Sequence, residues 1–218
     1  MVLERKVSKL KEISESYIYK DISDLFNIDN INQVKIVTSY LAENIGNLLS
    51  KDNISKVGQL PKYQVEKILY TLEKTFVIDF IYPFAKNNLK EITSRPKVFF
   101  TDPGIRNAVA GKLSNISIIN DKGKLFENCI EIHLRDFVKR KDGNLMFWRT
   151  LNQTELDFIL EFIVDGKTQI TGYEAKYNWS SKVRPKNLKS FEEIYKKIIN
   201  SVSIVTSETY WQFLNDIL

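Results

Sequence analysis

One cysteine and one histidine are all that 218 residues contain of the side chains from which zinc sites and disulfides are built. Cys129 alone excludes an intrachain disulfide framework and any multi-cysteine metal cluster. With His133 as the single imidazole, a transition-metal centre lacks its ligand set, so a bound metal would have to be held by oxygen. Eight glycines leave no Gly-x-x-x-x-Gly-Lys-Ser/Thr loop to cradle phosphates, and the chain is expected not to hydrolyse ATP. No run of about 18 apolar residues occurs, so no transmembrane helix and no membrane partner are expected. Met1 to Lys6 lack the apolar stretch of a signal peptide. These absences point to a cytoplasmic protein.

What is present is ordinary for a globular chain with real cores: 43% hydrophobic and 27% charged residues. The net charge of +5 is compatible with a nucleic-acid partner without demanding one. The excess is local, because Lys182, Arg184, Lys186, Lys189, Lys196 and Lys197 face only Glu192 and Glu193 in the same stretch. That stretch is either a solvated helix face or a surface for phosphates.

Gly, Ser, Asn and Asp gather between Gly111 and Lys124, which is loop chemistry and the expected domain boundary. Before it the periodicity is helical. Leu3, Val7, Leu10 and Ile13 share a helix face, and Tyr17 to Phe26 continues the helical pattern. Val34 to Leu49 predicts a helix, Asn53 to Gly58 a short one closed by its glycine, and Pro61 opens another over Tyr63 to Lys74. Two apolar segments follow, Phe76 to Phe84 and Lys97 to Thr101, separated by a turn rich in Asn and Lys. Three helices and a two-stranded wing describe a winged helix-turn-helix. Its third helix would either enter a DNA groove, presenting Lys62, Gln64, Glu66, Lys67, Thr71 and Lys74, or serve as a packing and protein-contact module.

After the boundary the period changes. Leu125 to Arg140 is a strongly apolar helix, and strands are expected at Leu145 to Arg149, Thr154 to Val164 and Gln169 to Tyr177, the last two joined by an Asp165-Gly166 turn. Pro185 to Asn200 reads as an amphipathic helix, Val202 to Thr206 as a strand and Tyr210 to Ile217 as a closing helix. Leu156, Phe158, Leu160 and Phe162 form the expected apolar row of their strand. The fold class is therefore α/β (α+β), with the order helix, three strands, helix, strand in its second half.

On a strand, residues i and i+2 share a face. Glu174 and Lys176 then project together, and the tight hairpin brings Asp157 on the preceding strand toward Glu174. Two converging carboxylates repel unless a cation neutralises them, and hard oxygens suit Mg²⁺ or Mn²⁺. Such an ion lowers the pKa of a bound water and stabilises charge on a phosphate, while Lys176 would orient that water or stabilise the developing negative charge. Arg149 either contacts a phosphate or pairs with Glu155. His133 and Cys129 lie on the apolar helix and are expected to be structural.

The chain resembles a known family over nearly its whole length. The phrases that carry the resemblance are Lys97-Val98-Phe99-Phe100-Thr101-Asp102-Pro103-Gly104, Leu125-Phe126-Glu127-Asn128, Trp148-Arg149-Thr150, Glu155 to Leu160 and Tyr173-Glu174-Ala175-Lys176. From about Gly123 to Thr206 it is similar to the PD-(D/E)XK nuclease superfamily, and more specifically to the C-terminal region, of unknown function, of many prokaryotic AAA-type ATPases. Tyr17 to Ile22 resembles the segment that leaves the ATPase lid. The resemblance implies residues 1–30 as a lid-exit helix, 31–110 as a winged helix and 111–218 as a restriction-endonuclease-like αβββαβ core.

It also implies Glu127 as the third acidic member of a catalytic set with Asp157, Glu174 and Lys176, with Asp157 and Glu174 as ligands of Mg²⁺ or Mn²⁺. The expected function is a Mg-dependent DNA nuclease or a nuclease-derived DNA-binding module serving an AAA-type ATPase. Lys182, Arg184, Lys186, Lys189 and Arg149 would then contact nucleic acid. The alternative is a non-catalytic protein-interaction module with vestigial carboxylates. Gln153-Thr154 stands where relatives carry glycine before the Glu-x-Asp strand, a change confined to a turn. The ATPase module is absent, so the chain is expected to be a piece of a longer protein or a stand-alone remnant.

Overall fold

A computed structural model describes residues 2–25, 30–84, 95–113, 121–150, 152–181 and 183–217. Lys182, the Asn- and Lys-rich turn expected between the two apolar segments and residues 114–120 of the boundary loop lie outside the described residues. So do the side chains of Leu3, Val7, Lys20 and Asp21. The chain divides into two compact units, Met1–Phe80 with Lys97–Asp121, and Ile81–Pro96 with Lys122–Leu218. No described helix is long and apolar enough to cross a membrane.

The first unit opens with α1 (Val2–Ile13), a π-helical segment (Ser14–Asp21) and α2 (Ile22–Leu25), then continues through α3 (Ile31–Glu43), α4 (Lys51–Gly58) and α5 (Lys62–Lys74). Asn30 starts α3 by accepting a hydrogen bond from the Asn32 backbone N–H at 3.0 Å. Val34, Val37, Thr38 and Leu41 form its buried face. The helix stops at Glu43 rather than near Leu49, because the Asn44 amide donates back to the Tyr40 carbonyl at 2.8 Å and Gly46 turns the chain with φ 72°. Ser50 caps α4 through the Asn53 N–H at 3.2 Å. Its left-handed residue is Gln59, with φ 50°, and not the expected glycine. Gly58 is the last helical residue, where a Cβ would meet Leu60 at 3.1 Å, so close packing rather than φ selects glycine there.

Pro61 precedes α5, whose inner face is Val65, Ile68, Leu69 and Leu72. Thr71 belongs to that buried face and donates its hydroxyl to the Lys67 carbonyl at 2.8 Å, so it is not on the outer surface as expected. Tyr63 and Tyr70 are exposed in its place. Strands β1 (Ile78–Pro83) and β2 (Lys97–Phe100) follow, then α6 (Pro103–Val109), capped by Asp102 through the Ile105 N–H at 2.8 Å. Leu48 makes an isolated antiparallel bridge with Lys97. Arg106 of α6 is fully buried, and its guanidinium binds Asp121, the Asn107 side chain and the Ala42 carbonyl.

The second unit runs α7 (Lys122–Arg140), β3 (Asn144–Arg149), β4 (Glu155–Val164), β5 (Lys167–Lys176), α8 (Lys186–Tyr195), β6 (Ile199–Thr206) and α9 (Tyr210–Ile217). The order helix, three strands, helix, strand and closing helix is the one periodicity predicts. The strands of this unit are hydrogen-bonded in the order β3-β4-β5-β6, with the end of β1, Ile81–Pro83, beside β3. The end of β1 pairs parallel with β3, β3–β4–β5 are antiparallel, and β5–β6 is parallel. Asp165 and Gly166, both left-handed at φ 49° and 72°, make the tight turn between β4 and β5. Helix α8 ends at Tyr195, five residues short of the expected Asn200. The β-branched Ile198 and Ile199 go to the sheet instead, where the Ile170 N–H donates to the Ile198 carbonyl at 2.9 Å.

Candidate active site

Strands β4 and β5 carry the charged residues, and a local irregularity sets their placement. Met146 pairs with Ile159 but Trp148 with Leu156, so two steps along β3 match three along β4. This bulge breaks the expected single row of Leu156, Phe158, Leu160 and Phe162. Leu156 instead joins Ile159, Met146, Trp148 and Ile170 in one cluster with Leu188, Phe191 and Tyr195 of α8. The bulge falls beside Asp157, and such irregularities re-aim side chains near functional groups. Gly172 on β5 completes the arrangement, because a Cβ there would meet the Leu156 side chain at 2.7 Å.

Asp157 accepts the Ala175 backbone N–H through Oδ2 at 2.9 Å, which ties its carboxylate to the residue between Glu174 and Lys176. The Lys176 ammonium lies 2.7 Å from Glu174 Oε1. Glu174 is only 5% exposed, and its second oxygen accepts the Asn187 amide at 3.0 Å. That amide also donates to the Glu155 carbonyl at 2.8 Å. Asn187 therefore fastens the start of α8 to both β4 and β5. Sequence reasoning overlooked it, since nothing in Pro185-Lys186-Asn187 marks an amide 13 residues from its carboxylate.

Burial alone would lower the Lys176 pKa, but Glu174, then Asp157 and Glu127, outweigh it and raise the pKa above the ordinary lysine value. Lys176 is thus a cation at neutral pH, suited to stabilising negative charge rather than abstracting a proton. Glu127 is half-buried near the start of α7, between the buried Phe126 and Asn128.

The remaining candidates divide. Arg149 pairs with Glu155 at 2.9 Å. Arg184 pairs with Glu192 and donates to the Val202 carbonyl at 3.0 Å, which fixes the approach to α8. Lys186 and Lys189 are exposed on α8 opposite its buried Leu188 and Phe191. Cys129 is half-buried, and burial pushes its thiol pKa up, away from reactivity. His133 sits against Tyr210, ring centroids 5.9 Å apart.

Among the described residues, no three Asp, Glu, His or Cys side chains are grouped to hold a metal ion. The donor set of Asp157 and Glu174 is two hard carboxylates, which is too few for a protein cage. It does fit a hydrated Mg²⁺ or Mn²⁺, which takes one or two carboxylates and completes its shell with water and phosphate. Because Asn187 orients one of those carboxylates and ties α8 to two strands, Asn187→Ala is expected to weaken Mn²⁺ binding about 10- to 100-fold and to cost about 1–3 kcal/mol of stability through the stranded Glu174 oxygen. Calorimetric titration beside thermal denaturation checks this; equal affinities would show that Glu174 needs no such support.

Two family models match the chain. One, described as a domain of unknown function (DUF8612), matches residues 2–115. The other, also a domain of unknown function (DUF4143), matches residues 122–216. Neither the curated proteins nor the solved structures yield a match.

Proposed function

This chain belongs to the DUF8612 family, and we propose that its second unit is a Mg-dependent DNA nuclease, or a DNA-binding module derived from one, that serves an AAA-type ATPase. The observation that carries the reading is the convergence of Asp157, Glu174 and Lys176 through the Ala175 N–H and the 2.7 Å ion pair. The element order from α7 to β6 supports it. So does the match over residues 122–216 to a domain found in AAA-ATPase-associated proteins. In the first unit, α3, α4, α5, the start of β1 and β2 with the Leu48–Lys97 bridge support a winged-helix reading.

Asp157 and Glu174 would hold the ion, which when bound would supply an acidified water and charge neutralisation at a phosphate. Asn187 keeps Glu174 turned toward the site. Lys176, a cation at neutral pH, would leave Glu174 for the developing negative charge and hold it through a charge-assisted hydrogen bond. Glu127 adds negative field that keeps the ammonium at the site. The closed Glu174–Lys176 pair favours a second reading, in which the pair is a finished structural contact and the unit binds a protein partner.

The test is plasmid nicking with Mn²⁺, using Lys176→Ala as the control that removes the ammonium. Nicking that Lys176→Ala slows supports the nuclease. Mn²⁺ binding without nicking of any nucleic acid supports the second reading. DNA affinity is also expected to fall steeply with salt as phosphate contacts release counterions. The combined Lys186→Ala and Lys189→Ala replacement should weaken it more than Lys67→Ala with Lys74→Ala. Anisotropy titrations at several salt concentrations decide, and a larger loss from the α5 pair would move the contact to the first unit.

A further inference from the structure

Strand β6 is the last in the sheet order, and among the described residues no strand lies beyond it. The phase of its pairing shows which backbone groups look outward. The Ala175 N–H donates to Asp157 on β4, so Ala175 faces β4, and Glu174 and Lys176 turn their backbone groups to β6. In parallel pairing a residue bonds to the two neighbours of its partner, so Glu174, opposite Ile204, engages Ser203 and Val205. Val202, Ile204 and Thr206 then point their N–H and C=O groups away from β5. Two contacts agree with this phase. The Val202 carbonyl accepts Arg184 at 3.0 Å, and the Thr206 N–H donates to the Thr209 hydroxyl at 2.9 Å. No described group takes the Ile204 N–H or carbonyl.

That edge lacks the usual protection. From Ile198 to Ser207 there is no charged residue and no proline. Exposed edges ordinarily carry one or the other, because an open row of backbone groups recruits further strands. The register shift opposite Ile170 and Thr171 disturbs only the start of β6, at Asn200. What covers the middle is Arg184, from the connection between β5 and α8. Its guanidinium is held between Glu192 of α8 and the Val202 carbonyl, in the place that the N–H of an added strand would take. Thr209 closes the far end in the same way.

We propose that β6 is a strand-addition edge held shut by Arg184, and that the strand it accepts once open is β6 of a second copy of this chain. The nuclease reading plays no part in this. About a twofold axis at Ser203, antiparallel copies set Val202 of each against Ile204 of the other. Each such pair exchanges both of its hydrogen bonds, using the open groups of Ile204 and the Val202 carbonyl that Arg184 would release. Thr206 and its Thr209 contact lie outside this register. Ser203 is exposed and meets its own copy, and the uncharged strand brings no like charges together.

Sedimentation equilibrium of the full chain reads the outcome, with thermal melting on the same samples. Arg184→Met, which keeps an unbranched stem, is expected to tighten self-association at least about tenfold over the wild type across about 10 µM to 1 mM. Adding Ser203→Lys should return it to the wild-type level by setting two ammonium groups opposite each other. Mixing that double variant with Arg184→Met/Ser203→Asp should restore the pair, which a merely loosened fold would not do. Arg184→Lys can serve only one of the two acceptors, so it should fall between wild type and Arg184→Met, and it decides the matter if Arg184→Met does not melt cooperatively. Equal self-association in the wild type and the Arg184 variants overturns the proposal. So does association that Ser203→Lys leaves intact, because the contact would then lie elsewhere. Wild-type association that Ser203→Lys abolishes would show the edge open with Arg184 in place, and overturns it as well.

Discussion

Arg106→Met is expected to destabilise the first unit by about 3–5 kcal/mol, the usual cost of stranding one partner of a buried ion pair. Arg106 is fully buried on α6 and spends its guanidinium on three acceptors. Nε donates to the Ala42 carbonyl at 2.8 Å, Nη1 to Asn107 Oδ1 at 3.0 Å, and Nη2 to Asp121. Lys112 shares Asp121 at 3.2 Å and reaches Glu43 at 2.7 Å. One planar fork thus joins α3, α6 and the residue that precedes α7. Arg106→Lys should recover little, because an ammonium cannot address three fixed acceptors. Adding Asp121→Asn to Arg106→Met should recover part of the loss by removing the stranded charge.

Acid tests the same contact. Burial would raise the Asp121 pKa, but the bonds to Arg106 and Lys112 hold the carboxyl below its ordinary 3.8. A depressed folded-state pKa contributes stability above the unfolded value that is lost as pH falls through the folded one. The wild-type unit should therefore lose this contribution only below pH 3.8, whereas in Arg106→Met burial is opposed by Lys112 alone, and the gap between the two proteins should narrow as acid protonates the stranded Asp121. Urea denaturation by circular dichroism across that range measures both effects. A difference under about 1 kcal/mol would show that the buried fork is dispensable.

Asp157→Asn is the second large effect, and it falls on chemistry rather than stability. The amide keeps the shape of the side chain, and its oxygen can still accept the Ala175 N–H that Asp157 holds at 2.9 Å. The strands should stay paired and the melting curve unmoved. What disappears is one of the two negative charges that would hold a divalent ion, so nicking is expected to fall at least about 100- to 1,000-fold, as when a group that stabilises transition-state charge is lost. Lys176→Ala should slow nicking comparably while sparing the metal, since it releases Glu174 Oε1 from its 2.7 Å partner. Plasmid-nicking rates with Mn²⁺ for the three proteins separate the roles. Equal metal binding and equal nicking in wild type and Asp157→Asn would remove Asp157 from the site.

Local signals carried some of this arrangement and not the rest. Asp165-Gly166 between two alternating runs is a strong hairpin signal, and the i, i+2 spacing of Glu174 and Lys176 places them on one face, where their side chains meet at 2.7 Å. The bulge beside Asp157 was not legible, because an extra residue on β4 is defined only against its partner β3. Asn187 was missed for a related reason: its contacts to Glu155 and Glu174 exist only once α8 lies against the sheet. No local signal marks Arg106, because its acceptors Ala42, Asn107 and Asp121 come together only in the fold. Thr71 reads as exposed until its hydroxyl is seen bonded within its own helix, which lets it be buried at little cost.

The central claim is that Asp157 and Glu174 together hold a divalent cation, and calorimetric titration of Mn²⁺ into the wild type and Asp157→Asn tests it most directly. The account predicts one weak site in the wild type, weaker still in acid because the ligands must be deprotonated, and no measurable site in the variant. Undiminished Mn²⁺ binding by Asp157→Asn would contradict it.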